Sequence, residues 1–489
     1  MPAPLALLLA VVALFCLAWV LIVPAGQVPD EEMHLQYALT LAERGELPGH
    51  GPNGFSTQQW TAEVATNWER MPGAPERKPP WTNGEYEKWK AADAALPPGS
   101  KSNGGGYIWQ GDNPPLYYGY EAAAYHASPG RGFFDRLYFM RVMSALWVLV
   151  TATGAWLLAG EIFGRDRPLQ LVAAGFAGLL PMVDFVSSGV NPDAMLYAFW
   201  SVAFWLGARI LRRGLTVRDG VALCALVGVA FAEKSTSIAL IPPMLLALAV
   251  GWRRLSRTRP QARRVATVAV LVSLAAFAVP AGAWVVTAKA LDRPITNRAP
   301  HYVGKPAPQL TSIQTDRQFL SYVWQFYLPR LPFMQPIPLL GSGGDKLYRV
   351  WVSQVWGNFG WQEVNFPPWA YKGFAALSVL LLAGGAAAAL RARRRGHFDL
   401  AIAAYFALAI VSLLFLLHWA EYTIMSLEGI AFNQGRYLLP LVALGGVVVA
   451  ACVSLLRPSL RTPATGVVLG SLVVLQLFSL GLVVERYFV

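Results

Sequence analysis

The sequence predicts an all-α polytopic membrane protein of about 11 transmembrane helices with two long extracytoplasmic loops. Three observations predict it. Hydrophobic residues make up 55% of the 489 and charged residues only 14%, with a mean hydropathy of +0.41. Apolar runs recur from end to end, each near the ~20 residues a helix needs to cross ~30 Å of hydrocarbon. Arginines gather in every second gap between those runs. An ordinary cytosolic enzyme is excluded by the first observation. The formal charge of +12 would suggest a nucleic-acid partner in a soluble chain, but the basic clusters lie between apolar runs, so no nucleic acid is expected. Cys16, Cys224 and Cys452 all fall inside apolar runs and form neither a disulfide framework nor a metal-site pattern.

Residues 1–24 form the first span. The Pro24-Ala25-Gly26 that follows imitates a cleavage site, but the run has no basic leader and is longer than a signal-peptide core, so it is expected to stay uncleaved. Residues 25–136 form the first long hydrophilic loop. Runs at 137–160, 169–187, 195–210, 220–232, 236–252 and 266–288 give helices two to seven within 137–288. A second long loop covers 289–369, and runs at 370–390, 399–420, 438–456 and 465–484 give helices eight to eleven within 370–489. Five short gaps, at 165–167, 209–218, 253–264, 391–395 and 457–461, together carry 18 arginines, against Lys234, Arg436 and Arg486 in the short segments of the other side. That asymmetry puts the N-terminus in the cytoplasm and both long loops outside. No cytoplasmic gap can hold a nucleotide-binding βαβ unit, and neither a Walker A pattern nor an internal repeat is present. The chemistry is therefore expected on the outer face.

The candidate residues cluster at that face. In Pro29-Asp30-Glu31-Glu32-Met33-His34, Asp30 and His34 fall at i, i+4 on a helix, with Glu31 within i+3 of His34. Acids after a proline suit the first turn of a helix through its dipole. The same acids also suit a carboxylate that takes a proton from a hydroxyl, with its neighbours orienting it or holding a divalent cation such as Mg or Mn. Lys234 reads either as a surface partner of Glu233 or as a cation facing an anionic ligand. Asn191-Pro192-Asp193 opens the fourth helix, with Asp193 in its first turn. In Asn433-Gln434-Gly435-Arg436-Tyr437, Arg436 suits a phosphate clamp beside a glycine, and a snorkelling interfacial arginine is the alternative. The first loop carries Trp60, Trp68, Trp81, Trp89 and Trp109, suited to sugar faces or to headgroup anchoring. It closes on Asn113-Pro114-Pro115-Leu116-Tyr117-Tyr118.

The uncleaved first helix, the Asp30-Glu31 pair at its outer end, the large first loop closing on Pro114-Pro115-Leu116-Tyr117-Tyr118 and the number of spans together resemble the GT-C superfamily of polyprenyl-phosphate-sugar-dependent glycosyltransferases. Within it, Pro29-Asp30-Glu31 with His34, Asn191-Pro192-Asp193, and Gln434-Gly435-Arg436-Tyr437 with Pro440 resemble the pattern of a large bacterial family of predicted membrane proteins. The resemblance implies inverting transfer of a hexose or pentose from a polyprenyl-phosphate donor to a hydroxyl of an envelope glycan, glycolipid or protein, at the outer face of a bacterial plasma membrane. Asp30 would match the catalytic acid and Glu31 its partner. His34, Lys234, Arg436, Tyr437, Asn191, Asp193 and Tyr117 would bind substrate, and Asp30, Glu31 and His34 would hold a divalent cation if one is used. The sequence ends within five residues of the last run, so acceptor recognition is expected to fall to the two loops. A transporter or flippase for lipid-linked or anionic substrates is the alternative, with Asp30, Lys234 and Arg436 along its path.

Overall fold

The computed structural model describes residues 1–79, 83–257, 262–296, 313–336, 349–428 and 434–489. Trp81, Asn433 and, in the arginine-rich gap 253–264, Arg259 lie outside those residues. Every apolar run named above is helical. The first is α1 (Ala3–Ile22), and the first loop follows as α2 (Glu31–Arg44), α3 (Thr57–Ala65), α4 (Asn83–Ala94) and α5 (Leu116–Ala127). The bundle continues with α6 (Phe133–Ala145), α7 (Trp147–Phe163), α8 (Arg167–Gly178), α9 (Pro181–Ser187), α10 (Asp193–Arg213), α11 (Val217–Glu233), α12 (Ile241–Ser256) and α13 (Ala262–Ala290). Beyond it come α14 (Ile313–Tyr327), α15 (Arg349–Trp356), α16 (Pro368–Arg394), α17 (Leu400–Glu428), α18 (Val442–Ser454) and α19 (Pro458–Phe488). Short 3-10 turns at Ser235–Leu240 and Gly435–Leu441 lead into α12 and α18, and a two-stranded antiparallel hairpin pairs Asn358–Phe359 with Val364–Asn365.

Among the described residues nine spans are long and apolar enough to cross a membrane, with α6 and α7 together making one of them. A tenth is the pair α8 and α9, bent by 48°. Pro181 causes that bend, because at the first position of α9 it has no N–H to continue the ladder of α8. The remaining apolar run, α11, is 17 residues long and packs along α13. The eleven expected spans thus correspond to nine or ten of spanning length plus one shorter helix.

The span at Asp193–Arg213 is 83% buried and forms the centre of the bundle, against α7, α11, α12 and α17. Its backbone is internally satisfied, so what it needs from its neighbours is close packing and partners for its polar side chains. Small residues supply the packing: a Cβ on Gly446 of α18 would meet the Ala173 carbonyl oxygen of α8 at 2.4 Å. One set of polar groups in the apolar interior is paired across three helices. Trp19 of α1 donates to Gln476 of α19 at 2.6 Å, Gln476 donates in turn to Asp184 of α9, and the Cys16 thiol lies 3.5 Å from the same carboxyl. In the first loop, Trp68 and Trp89 are buried and fix the loop, whereas Trp60 and Trp109 stay exposed.

The close approach of α8 and α18 is testable. Gly446→Ala should lower stability by about 1–3 kcal/mol, read as a lower thermal unfolding midpoint in detergent. Gly470→Ala on α19, where a Cβ meets nothing within 4 Å, should leave the midpoint unchanged.

Candidate active site

After α1 the chain turns back at Gly26, whose φ of +74° and absent side chain let the Trp68 indole close over it. The turn delivers Glu31 into the bundle beside Arg141 of α6. Arg141 donates from Nε to Glu31 Oε1 at 2.6 Å and from Nη2 to Oε2, and both side chains are fully buried. The Gly26 N–H donates to Oε2 at 2.8 Å and the Val190 N–H to Oε1 at 3.1 Å. The guanidinium also donates to the carbonyls of Val23 at 2.8 Å and Pro24 at 2.9 Å, just past the end of α1. Each Glu31 oxygen is thereby taken twice, which leaves this carboxylate no room to receive a substrate proton.

Asp30 has a different environment. It precedes α2 in the left-handed region, φ 62° and ψ 13°, and its side chain makes no cap bond to the helix. A non-glycine residue there costs about 1–2 kcal/mol, and such strain persists only where the surroundings impose it. The side chain instead faces Arg436, which opens the turn before α18: Nη2 lies 2.5 Å from Asp30 Oδ2, and Nη1 lies 3.5 Å from the Pro29 carbonyl. The Asp30 side chain is 26% exposed and that of Arg436 6%. The guanidinium lies 5.3 Å from the centre of the Tyr437 ring, and its buried Nε has no hydrogen-bond partner among the described residues. Burial pushes the Asp30 carboxyl up, but the Arg436 guanidinium, with Lys234 further off, outweighs burial and holds it below its ordinary value.

His34 lies one turn along α2, its N–H donating to the Asp30 carbonyl at 3.1 Å. Its Nδ1 is 2.8 Å from the Tyr118 hydroxyl, which accepts from the Asn113 amide at 2.9 Å. Asn113 fills one acceptor position of the phenol, and where the phenolic proton goes to Nδ1 the neutral imidazole carries its own proton on Nε2. Burial, above all, pushes His34 down to about 3, so the ring is neutral at ordinary pH. Tyr37 stacks on Tyr118 with centroids 3.7 Å apart and fixes the phenol. Behind Asp30, Asn191 donates to the Pro29 carbonyl at 3.1 Å and accepts the Asp193 N–H at 3.0 Å, so one side chain starts α10 and holds the Pro29-Asp30 peptide. Asp193 pairs with Lys234 across the bundle.

Of the residues singled out from the sequence, Asp30, Arg436 and Tyr437 meet directly, Asn191 grips the same turn, and His34, Lys234 and Asp193 lie within its electrostatic reach. Lys234 pairs with Asp193 rather than Glu233, whose two carboxyl oxygens are buried without a hydrogen bond among the described residues. Arg436 is buried rather than snorkelling. Tyr117 points elsewhere, its hydroxyl 2.9 Å from Ser144 of α6, and the next residue, Tyr118, takes the place beside His34. Among the described residues no three His, Cys, Asp or Glu side chains converge as ligands for a divalent cation: Glu31 is sealed by Arg141, Asp30 is half open but paired with Arg436, and His34 Nδ1 meets Tyr118. Sequence reasoning missed Arg141. The signal was there, because an arginine four residues into an apolar run needs a buried partner.

A family described as predicted membrane protein (DUF2142) matches residues 13–444. No curated protein matches. Among solved structures, ArnT from Cupriavidus metallidurans bound to undecaprenyl phosphate is similar at 14% identity and a TM-score of 0.48, over 98% of this chain and 77% of that one. The apo state of the same protein is similar at 15% and 0.45, over 93% and 60%. The Archaeoglobus fulgidus oligosaccharyltransferase in its apo form is similar at 12% and 0.47, over 99% and 56%. The chain therefore spans less than two thirds of the length of the last two.

Glu31→Gln should cost about 3–5 kcal/mol, because it leaves the Arg141 charge buried without a counter-ion, and the loss should appear in thermal unfolding with or without substrate. His34 gives a pH signature. Its folded pKa lies below its unfolded value of about 6.5, so its burial costs nothing above that pH and costs progressively more as acid protonates the unfolded chain. At pH 5 the cost is about 2 kcal/mol. His34→Gln should therefore flatten the fall in unfolding midpoint between pH 7 and pH 5 relative to wild type.

Proposed function

The chain belongs to the DUF2142 family of predicted membrane proteins, and we propose that it is an inverting glycosyltransferase of the GT-C type that moves a sugar from a polyprenyl-phosphate donor to an acceptor hydroxyl on the face that carries the long loops. The observation that carries this reading is the Asp30–Arg436 pair, which joins the outer end of the first span to the start of Gly435–Ser454. It places a half-open carboxylate against a buried guanidinium that still has an unpaired N–H. Glycosyl transfer from a lipid phosphate needs both groups, one to take a proton and one to receive the departing phosphate.

The donor enters sideways from the membrane and its phosphate takes the free Nε–H of Arg436. That draws the guanidinium from Asp30, and a carboxylate relieved of its neighbouring cation regains proton affinity. Asp30 then accepts the proton of the acceptor hydroxyl as that oxygen bonds to the anomeric carbon. The bond from that carbon to the phosphate oxygen breaks with inversion, and the lipid phosphate leaves with the electron pair, held by Arg436 with Lys234 nearby. His34, neutral with its proton on Nε2, offers a hydrogen bond to a sugar or acceptor hydroxyl. Glu31 acts as a positioning residue through Arg141. The arginine-rich loops argue for an active site on the outside of the plasma membrane.

The test uses purified protein, a panel of polyprenyl-phosphate sugars and acceptors, and release of lipid phosphate as the readout. Asp30→Asn, which keeps a residue that tolerates the left-handed backbone, should lower turnover by at least about a hundredfold in protein that stays folded, with a smaller fall in unfolding midpoint than Glu31→Gln because the Asp30 side chain is part-exposed. Wild-type turnover in that variant would remove Asp30 from the chemistry. Arg436→Ala should raise the KM for donor far more than that for acceptor, and an equal rise in both would refute the phosphate assignment.

A further inference from the structure

The arginine-rich face holds a cavity of about 970 Å³ between the ends of α7, α10 and α12 and the start of α17. The 21 residues of α10 separate it from Asp193, a distance of ~30 Å at the helical rise. It therefore belongs to the opposite leaflet from the candidate active site. We propose that this crevice seats an anionic phospholipid, with Arg212 holding the headgroup phosphate.

The lining sorts itself by depth. Leu246, Val250 and Arg254 follow one another at i, i+4 and i+8 along one face of α12 and all line the cavity. An apolar stripe thus runs from the hydrocarbon side to a cation at the end of the helix, matching an acyl chain below a phosphate. Leu400, Ala401 and Ala404 of α17 supply apolar surface opposite. The charges are unequally committed. Arg254 donates to the Leu211 carbonyl and lies 3.5 Å from Asp399 Oδ1, binding α10, α12 and α17 together. Asp399 is the acidic residue of the lining, and the same Oδ1 also caps α17 by accepting the Ala401 N–H at 2.9 Å. Its charge is thus already answered. Arg212 is exposed and has neither a hydrogen bond nor an ion pair among the described residues. An uncommitted guanidinium above an apolar groove complements a phosphodiester with its chains attached better than it does a free ion, because the groove stabilises only the former. By the arginine asymmetry this is the inner leaflet, where such lipids abound.

Native mass spectrometry of the full chain, titrated with phosphatidylglycerol or phosphatidylcholine, tests the proposal. Wild type should retain phosphatidylglycerol in preference to phosphatidylcholine, and Arg212→Gln should weaken phosphatidylglycerol binding about fivefold while leaving phosphatidylcholine and the unfolding midpoint unchanged. Arg393→Gln removes the same charge from the same face outside the crevice and should have no effect. Equal retention of the two lipids by wild type, equal losses in the two variants, or displacement of phosphatidylglycerol by an equal concentration of inorganic phosphate would each overturn the assignment.

Discussion

The buried Glu31–Arg141 pair is the constraint from which the site follows. Two charges fully removed from water are costly unless every hydrogen-bonding position is filled, and here the fold fills them with the Gly26 and Val190 N–H groups and the Val23 and Pro24 carbonyls. One ion pair thereby fastens the end of α1, the start of α2, the middle of α6 and the turn before α10. Beside the inward-pinned Glu31, Asp30 takes the left-handed region and its carboxylate faces Arg436. Two adjacent acids thus have opposite fates, one sealed and structural, the other strained and half open.

This dependence explains what the sequence could and could not disclose. The apolar runs set the helices, because spanning a membrane leaves the backbone few alternatives, and the meeting of Asp30 and Arg436 at one end of the bundle agrees with the order of those runs. The division of labour between Asp30 and Glu31 was not legible, since it is set by Arg141, 110 residues away. Tyr117 and Tyr118 repeat the lesson: neighbours on a helix diverge by about 100°, so tertiary packing alone decides that Tyr118 faces His34 while Tyr117 faces Ser144. The expected cation ligands failed to converge for the same reason, each having found a partner from another helix. The count of spans was blurred where length could not be read from hydropathy, at the bent α8–α9 pair and the short α11.

The net charge of +12 resolves into arginines of different standing. Arg141 is wholly internal and holds the fold. Arg436 is buried against Asp30, its Nε without a hydrogen-bond partner among the described residues, and is the proposed phosphate ligand. Arg212 stands uncommitted at the far end of α10, above an apolar groove. The same side chain serves packing, the proposed chemistry and the proposed lipid contact, and only its partners tell these apart.

The account turns on Arg436 exchanging Asp30 for the donor phosphate. Its most direct test is an experimental structure of the protein with a polyprenyl-phosphate bound. The account predicts a phosphate oxygen within about 3 Å of Arg436 Nε and an Asp30 carboxylate released toward the acceptor space. A phosphate seated elsewhere, with the Asp30–Arg436 pair intact, would contradict it.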